Sequence, residues 1–170
     1  MRKSVKLYNV IFPVWLLIYF VPVLWIIVLP LNLVIDGAVI YLCLKKTGVK
    51  NIKENLKASV LKTWGYGFAA DAAGALCMLS LSLIPSGLQS KYSFIGDMLF
   101  DAHYNPFNNI FAFVFTALCV FISGILIYGF NLEFCFGKTT LTEHQKKYTA
   151  LRLAIFTAPY LFFFPTSILF

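Results

Sequence analysis

Thirteen of the fourteen Lys and Arg residues fall into three short islands, residues 2–6, 45–62 and 138–152, and long apolar runs separate them. Only Lys91 stands apart. Cytoplasmic loops of membrane proteins carry the Lys/Arg excess, so the three islands belong on one face of a bilayer and the runs between them must cross it and return. Composition supports a lipid solvent: 60% of residues are hydrophobic and 12% charged, where soluble domains carry about a quarter charged. The net charge of +7 would point to nucleic acid in a soluble protein. Here the basic residues flank apolar segments, where topology and anionic headgroups account for them, so no nucleic-acid partner is expected. The expected fold is an all-α polytopic integral membrane bundle, a single transmembrane domain over residues 1–170.

The first apolar run, residues 7–44, has 38 residues. As one helix it would extend about 57 Å and overshoot a hydrocarbon core of about 30 Å. Two crossings are therefore expected, residues 8–29 and 31–44, with the turn at Pro30, Leu31 and Asn32 because proline cannot continue the backbone ladder and asparagine suits a turn. Residues 49–61 place Val49, Ile52, Leu56, Val60 and Leu61 near helical period with Lys50, Lys53, Glu54 and Lys57 between them. That pattern predicts an amphipathic helix lying flat on the cytoplasmic surface. Three further crossings are expected at 63–84, 110–134 and 151–170. The total is about five, with the N-terminus in the cytoplasm and the C-terminus outside. The basic start followed by an apolar stretch resembles a signal peptide, but the stretch is too long for a signal h-region and is expected to remain as an anchor. Twelve lysines to two arginines suits an AT-rich bacterial genome, hence a bacterial inner membrane.

Cys43, Cys77, Cys119 and Cys135 form no CxxC and lie within or at the ends of apolar segments, so they read as packing residues, not a disulfide framework or zinc site. His103 and His144 fall in loops, which argues against an intramembrane haem. No metal or cofactor is expected.

Ionisable residues inside membrane helices are expensive and mark function by default. Asp36 and Asp71 are the two clear cases. Each lies nine residues from a flanking lysine, Lys45 and Lys62, which puts both about 13 Å into the bilayer. Asn32 lies one turn from Asp36, and these three form the expected ion or proton site. On the 110–134 helix, Thr116, Cys119, Ser123 and Asn131 recur at helical spacing, and Glu133 stands near the cytoplasmic end; Thr116, Ser123, Asn131 and Glu133 are expected to extend a polar seam between three helices.

Three functions are weighed. The first is ion or small-solute transport through the carboxylate pair, as a homo-oligomer, since five helices leave little room for a private pathway. The second is a non-catalytic subunit that anchors or regulates a larger complex of membrane subunits, with 49–61 and 137–148 docking a soluble cytoplasmic partner. The third is an intramembrane hydrolase. The strings NLVIDG at 32–37 and FAADAAG at 68–74 resemble the two aspartate boxes of lipoprotein signal peptidases. That resemblance implies peptide hydrolysis by Asp36 and Asp71 as general acid and base. The family's boxes carry further asparagine and arginine positions missing here, and its aspartates open toward the outer surface, so an enzyme is the least favoured reading.

Overall fold

A computed structural model describes residues 22–168. Every regular element among them is helical, and three helices are long and apolar enough to cross a membrane. We name them α1 (Pro22–Lys46), α2 (Ile52–Ser80), α3 (Ser86–Lys91), α4 (Ser93–Tyr104), α5 (Ile110–Phe130) and α6 (Glu143–Phe156). Those three are α1, α2 and α5. A π-helical turn, Asn131–Cys135, extends α5, and single 3-10 turns at Leu81–Leu83, Pro106–Asn108, Tyr160–Phe163 and Thr166–Ile168 complete the chain.

The expected turn at Pro30–Asn32 does not exist. Helix α1 runs unbroken through Pro30, so residues 22–29 and 31–44 belong to one rod of about 37 Å. Pro30 removes one donor from the ladder, a loss that membrane helices tolerate. The rest of the expected 8–29 crossing lies outside the described residues.

The antiparallel return comes at residues 47–51. Gly48 adopts φ +69°, its N–H donates to the carbonyl of Lys45, and the N–H of Val49 donates to that of Leu44. This is a glycine C-cap of the Schellman type, sealed by the packing of Val49 on Leu44. Chirality explains the glycine, since a Cβ is disfavoured at that φ.

The amphipathic segment is helical with the expected polarity, but it does not lie apart on a surface. It is the first part of α2 and continues straight into the expected 63–84 crossing. Val49, Ile52, Leu56 and Val60 pack on a core of Ile40, Leu44, Phe136, Leu141 and Leu153, while Lys50, Lys53, Glu54 and Lys57 are exposed. The apolar face meets the protein's own interior, where a surface helix would meet lipid.

Helices α1, α2, α5 and α6 pack in a ring, each on its two neighbours, in up-down-up-down order. One end of the ring gathers the basic islands 45–62 and 138–152. There the amide of Asn55 donates to the Thr140 hydroxyl at 3.0 Å, Gln145 donates to the carbonyl of Thr47 at 3.2 Å, and Lys62 to that of Phe134 at 3.3 Å. Thr142 and Gln145 close a capping box that starts α6. The islet 2–6 lies outside the described residues.

At the opposite end the connection between α2 and α5 is largely helical, made of α3 and α4. Leu99 and Ala102 of α4 pack with Leu81 and Ala112. Asn105 and Asn109 cap the following turns by accepting hydrogen bonds from the N–H groups of Phe107 and Phe111.

The expected crossing 151–170 is not one helix. Helix α6 begins eight residues earlier, at Glu143, and ends at Phe156; Pro159 and Pro165 then force 3-10 turns. The strand of chain still traverses the bundle: α6 starts beside the basic end, and the Thr166 hydroxyl donates to the carbonyl of His103 in α4 at 3.1 Å. A helix for about half the depth and irregular chain for the rest is tolerated in a membrane where protein covers it or a cavity adjoins it.

Candidate functional site

Where α6 stops, a cavity of about 590 Å³ opens between α1, α2 and the broken segment. Val28, Leu29, Asn32, Ile35 and Asp36 line it from α1, Trp64, Gly67, Phe68, Asp71 and Ala72 from α2, and Phe156–Phe162 from the break. The void follows from the fold. A full-length α6 would fill this place in the ring, and Pro159 prevents it, because proline within the next turn would lose a ladder bond and clash.

Asp36, Asp71 and Asn32 all lie on this one wall. Asp36 is only 6% exposed, and among the described residues its carboxyl receives no hydrogen bond. Its Oδ2 sits 4.0 Å from where a Cβ would project at Gly67, one turn before Asp71, so the absence of a side chain at Gly67 gives Asp36 room against α2. Oδ1 of Asp71 is buried with no hydrogen-bond partner among the described residues. Asp36 thus faces α2 one helical turn below Asp71, and both carboxyls line the same cavity. The one ion pair among the described residues is Lys146–Glu143 at the basic end, so neither aspartate is neutralised by a lysine or arginine there. By helical rise Asp36 stands about 15 Å from the Lys46 end of α1 and Asp71 about 28 Å from the Ile52 end of α2, so the pair is not level: Asp71 lies farther from the basic end than Asp36.

The α5 stripe is placed differently. Thr116, Cys119, Ser123 and Asn131 are buried on the inward face of α5, yet none lines the cavity. Cys119, Ser123 and Asn131 meet α2 instead, through Gly74 and Thr63. Thr116 donates to the carbonyl of Ala112 at 2.9 Å, and Asn131 donates to that of Ile127 at 2.8 Å. Ser123 packs so tightly on Gly74 that any Cβ there would collide with its hydroxyl oxygen. Glu133 is exposed at the basic end, away from the cavity. The expected three-helix seam is thus two features: a cavity on the α1–α2 side and a packed polar contact on the α2–α5 side.

Sequence reasoning passed over a second polar set. Asn55, Ser59 and Thr63 are buried at 2%, 1% and 2% exposure, spaced four apart along α2, and the same spacing continues through Gly67 to Asp71. Asn55 holds Thr140, Ser59 donates to the carbonyl of Asn55 at 2.8 Å, and Thr63 donates to Asn131 at 2.7 Å. A polar column therefore climbs from the basic end toward the carboxyl pair. Its signal in the sequence is the four-residue spacing of Asn55, Ser59, Thr63 and Gly67, interleaved with the lysines and apolar positions of the same helix.

The wall is otherwise aromatic. The Trp64 indole N–H donates to the carbonyl of Leu29 at 3.0 Å, tying α1 to α2, and the ring meets Phe68 edge-on at 5.5 Å. At the break, the Thr157 hydroxyl donates to the carbonyl of Leu153, and the Tyr160 hydroxyl to that of Ile155. Among the described residues no cluster of three or more His, Cys, Asp or Glu is arranged to hold a metal ion. Two carboxyls on one cavity wall with no basic counterpart among the described residues are suited to accept a proton or a cation from outside the protein. No protein-family model, curated protein or solved structure matches the chain.

Proposed function

We propose that the chain is a membrane transport subunit that moves a cation or protons through the Asp36–Asp71 cavity. The observation that carries this reading is the pair Asp36 and Asp71 on the wall of a single cavity, Asp36 buried and Oδ1 of Asp71 buried without a hydrogen-bond partner, neither with a lysine or arginine partner among the described residues. A charge left unpaired in low dielectric costs several kcal/mol or more, and an arriving cation or proton removes that cost. The broken segment 157–163 adds a second feature. Half-helices that end at mid-membrane beside a binding cavity recur in secondary transporters, because the C-terminal end of such a helix carries partial negative charge. Phe156 and Thr157, at that end of α6, line the cavity.

On this proposal the basic end of the ring faces the cytoplasm of a bacterial inner membrane, and the subunit works as a homo-oligomer. The anchoring-subunit alternative keeps the exposed row Lys50, Lys53 and Lys57 as a docking surface but loses the apolar face of the same helix, which packs inward.

Proteoliposomes holding the purified chain test the proposal. A pH or cation gradient should drive flux, read by an enclosed pH dye, and Asp36→Asn and Asp71→Asn should each lower it at least tenfold while leaving helicity and melting intact. Unchanged flux in folded variants removes the proposal.

A further inference from the structure

The lining of the cavity narrows the class of cation, an inference that rests on the transport reading above. A room of about 590 Å³ holds on the order of twenty waters at liquid density, so a bare inorganic ion would leave it almost unfilled. Hard cations such as calcium are satisfied by a shell of about six or more oxygens. The polar side chains on this wall are few: Asn32, Asp36, Asp71 and Thr157, with the hydroxyl of Tyr160 and the indole N–H of Trp64 already engaged by backbone carbonyls. Thr157 is likewise turned to the carbonyl of Leu153.

What the wall does supply is aromatic and aliphatic surface from Trp64, Phe68, Phe156, Tyr160 and Phe162, and aromatic faces attract cations. An inorganic ion gains little from such a wall. An organic cation gains twice, through its charge at the carboxyls and through burial of its substituents.

We propose that the cavity binds a lipophilic organic cation, an ammonium or phosphonium whose charge sits at Asp36 and Asp71 and whose apolar substituents fill the aromatic room between α1, α2 and the 157–162 break. The size of the room, the lack of a basic partner among the described residues and the scarcity of polar side chains on the wall all point the same way.

Calorimetric titration of the purified full-length chain in detergent tests this with three probes: tetraphenylphosphonium, the neutral triphenylphosphine oxide of similar shape, and sodium. The wild type should bind the phosphonium at least about tenfold more tightly than the neutral compound, the size of preference a desolvated charge and aromatic contacts supply. The double variant Asp36→Asn/Asp71→Asn should bind the two with equal affinity. Equal affinities in the wild type overturn the inference, and that comparison needs no variant to fold. Sodium binding without phosphonium binding also overturns it but leaves the transport reading standing; flux indifferent to both aspartates removes that reading instead.

Discussion

The hydroxyl of Thr63 donates to Oδ1 of Asn131 at 2.7 Å, a hydrogen bond between two side chains that are 2% and 0% exposed and belong to different spanning helices. Asn131 opens the π-helical turn that ends α5, and such turns cluster at functional positions because the extra residue re-aims the side chains after it. The bond therefore fixes both the α2–α5 spacing and the rotation of the last turn of α5.

Breaking that bond should be costly beyond packing. Thr63→Val keeps the shape and leaves the Asn131 oxygen without its donor, and interhelical hydrogen bonds of this kind contribute about 0.6 kcal/mol on average and up to about 1.7 in membrane bundles. We expect a loss near the upper figure, because both groups are buried. A double-mutant cycle with Asn131→Leu, read by melting in detergent, should show a coupling of about 1 kcal/mol; additive losses would mean the bond contributes nothing.

Gly74 should tolerate no enlargement. A Cβ there collides with the Ser123 hydroxyl oxygen and comes within 3.0 Å of Phe162 and 3.3 Å of the carbonyl of Cys119. Gly74→Ala is expected to destabilise by about 1–3 kcal/mol through overpacking. Ser123→Ala behaves oppositely: its oxygen is buried with no partner among the described residues, so its removal should be neutral or stabilising. Combining the two should recover part of the Gly74→Ala loss, since Phe162 and Cys119 still obstruct. Thermal melts of the four proteins check all three statements.

The all-helical class was legible from apolar run length and charge islands, and so was the grouping of islands 45–62 and 138–152 at one end. Helix ends were not. Pro30 reads as a stop in any soluble protein, yet in lipid a broken hydrogen-bonded turn has no water to satisfy it, so α1 continues through. Residues 49–61 read as a surface helix because lysines alternate with apolar positions. Their apolar face is instead covered by Phe136 and Leu153, residues about eighty to a hundred positions away, and no local pattern reports such a long-range partner. Asp36, Asp71 and Asn32 share a wall, but not at the equal depth counted from Lys45 and Lys62: residues 52–62 are part of α2, which puts Asp71 about 28 Å from the basic end, and the turn that brings the two helices together is at Gly48. The cavity itself was not foreseen, because it is created by Pro159 ending α6 early, and the sequence of 151–170 is apolar enough to pass for a full crossing.

The continuity of α1 predicts a labelling pattern. Leu31 lies within α1, 53% exposed toward the surroundings of the bundle, and Lys50 is exposed at the basic end. In a background with Cys43, Cys77, Cys119 and Cys135 replaced, Leu31→Cys should resist a water-soluble maleimide in membranes, whereas Lys50→Cys should react once the cytoplasmic side is opened. Rapid labelling at residue 31 would restore a turn at that position and sink the single-rod description.

A last prediction concerns pH and the end opposite the basic islands. His103, in α4 and outside the three spanning helices, has its pKa lowered from 6.5, mainly because burial disfavours the charged ring and in part opposed by its ring nitrogen's hydrogen bond to the carbonyl of Leu99. For a base whose folded pKa is depressed, stability is complete above the unfolded value and falls as pH drops below it, because the unfolded chain takes up the proton first. Stability should thus decline as pH falls below 6.5 toward the lowered folded value. Asp101 acts the other way in its own range: burial raises its pKa above 3.8, so its folded form holds a proton longer and stability rises as pH falls through that window. His103→Asn keeps a polar side chain of smaller size and no titration. Melting temperatures of wild type and variant between pH 8 and pH 5 should converge as pH falls, with the wild type losing more. Parallel curves would show that the His103 ring carries no linkage to folding.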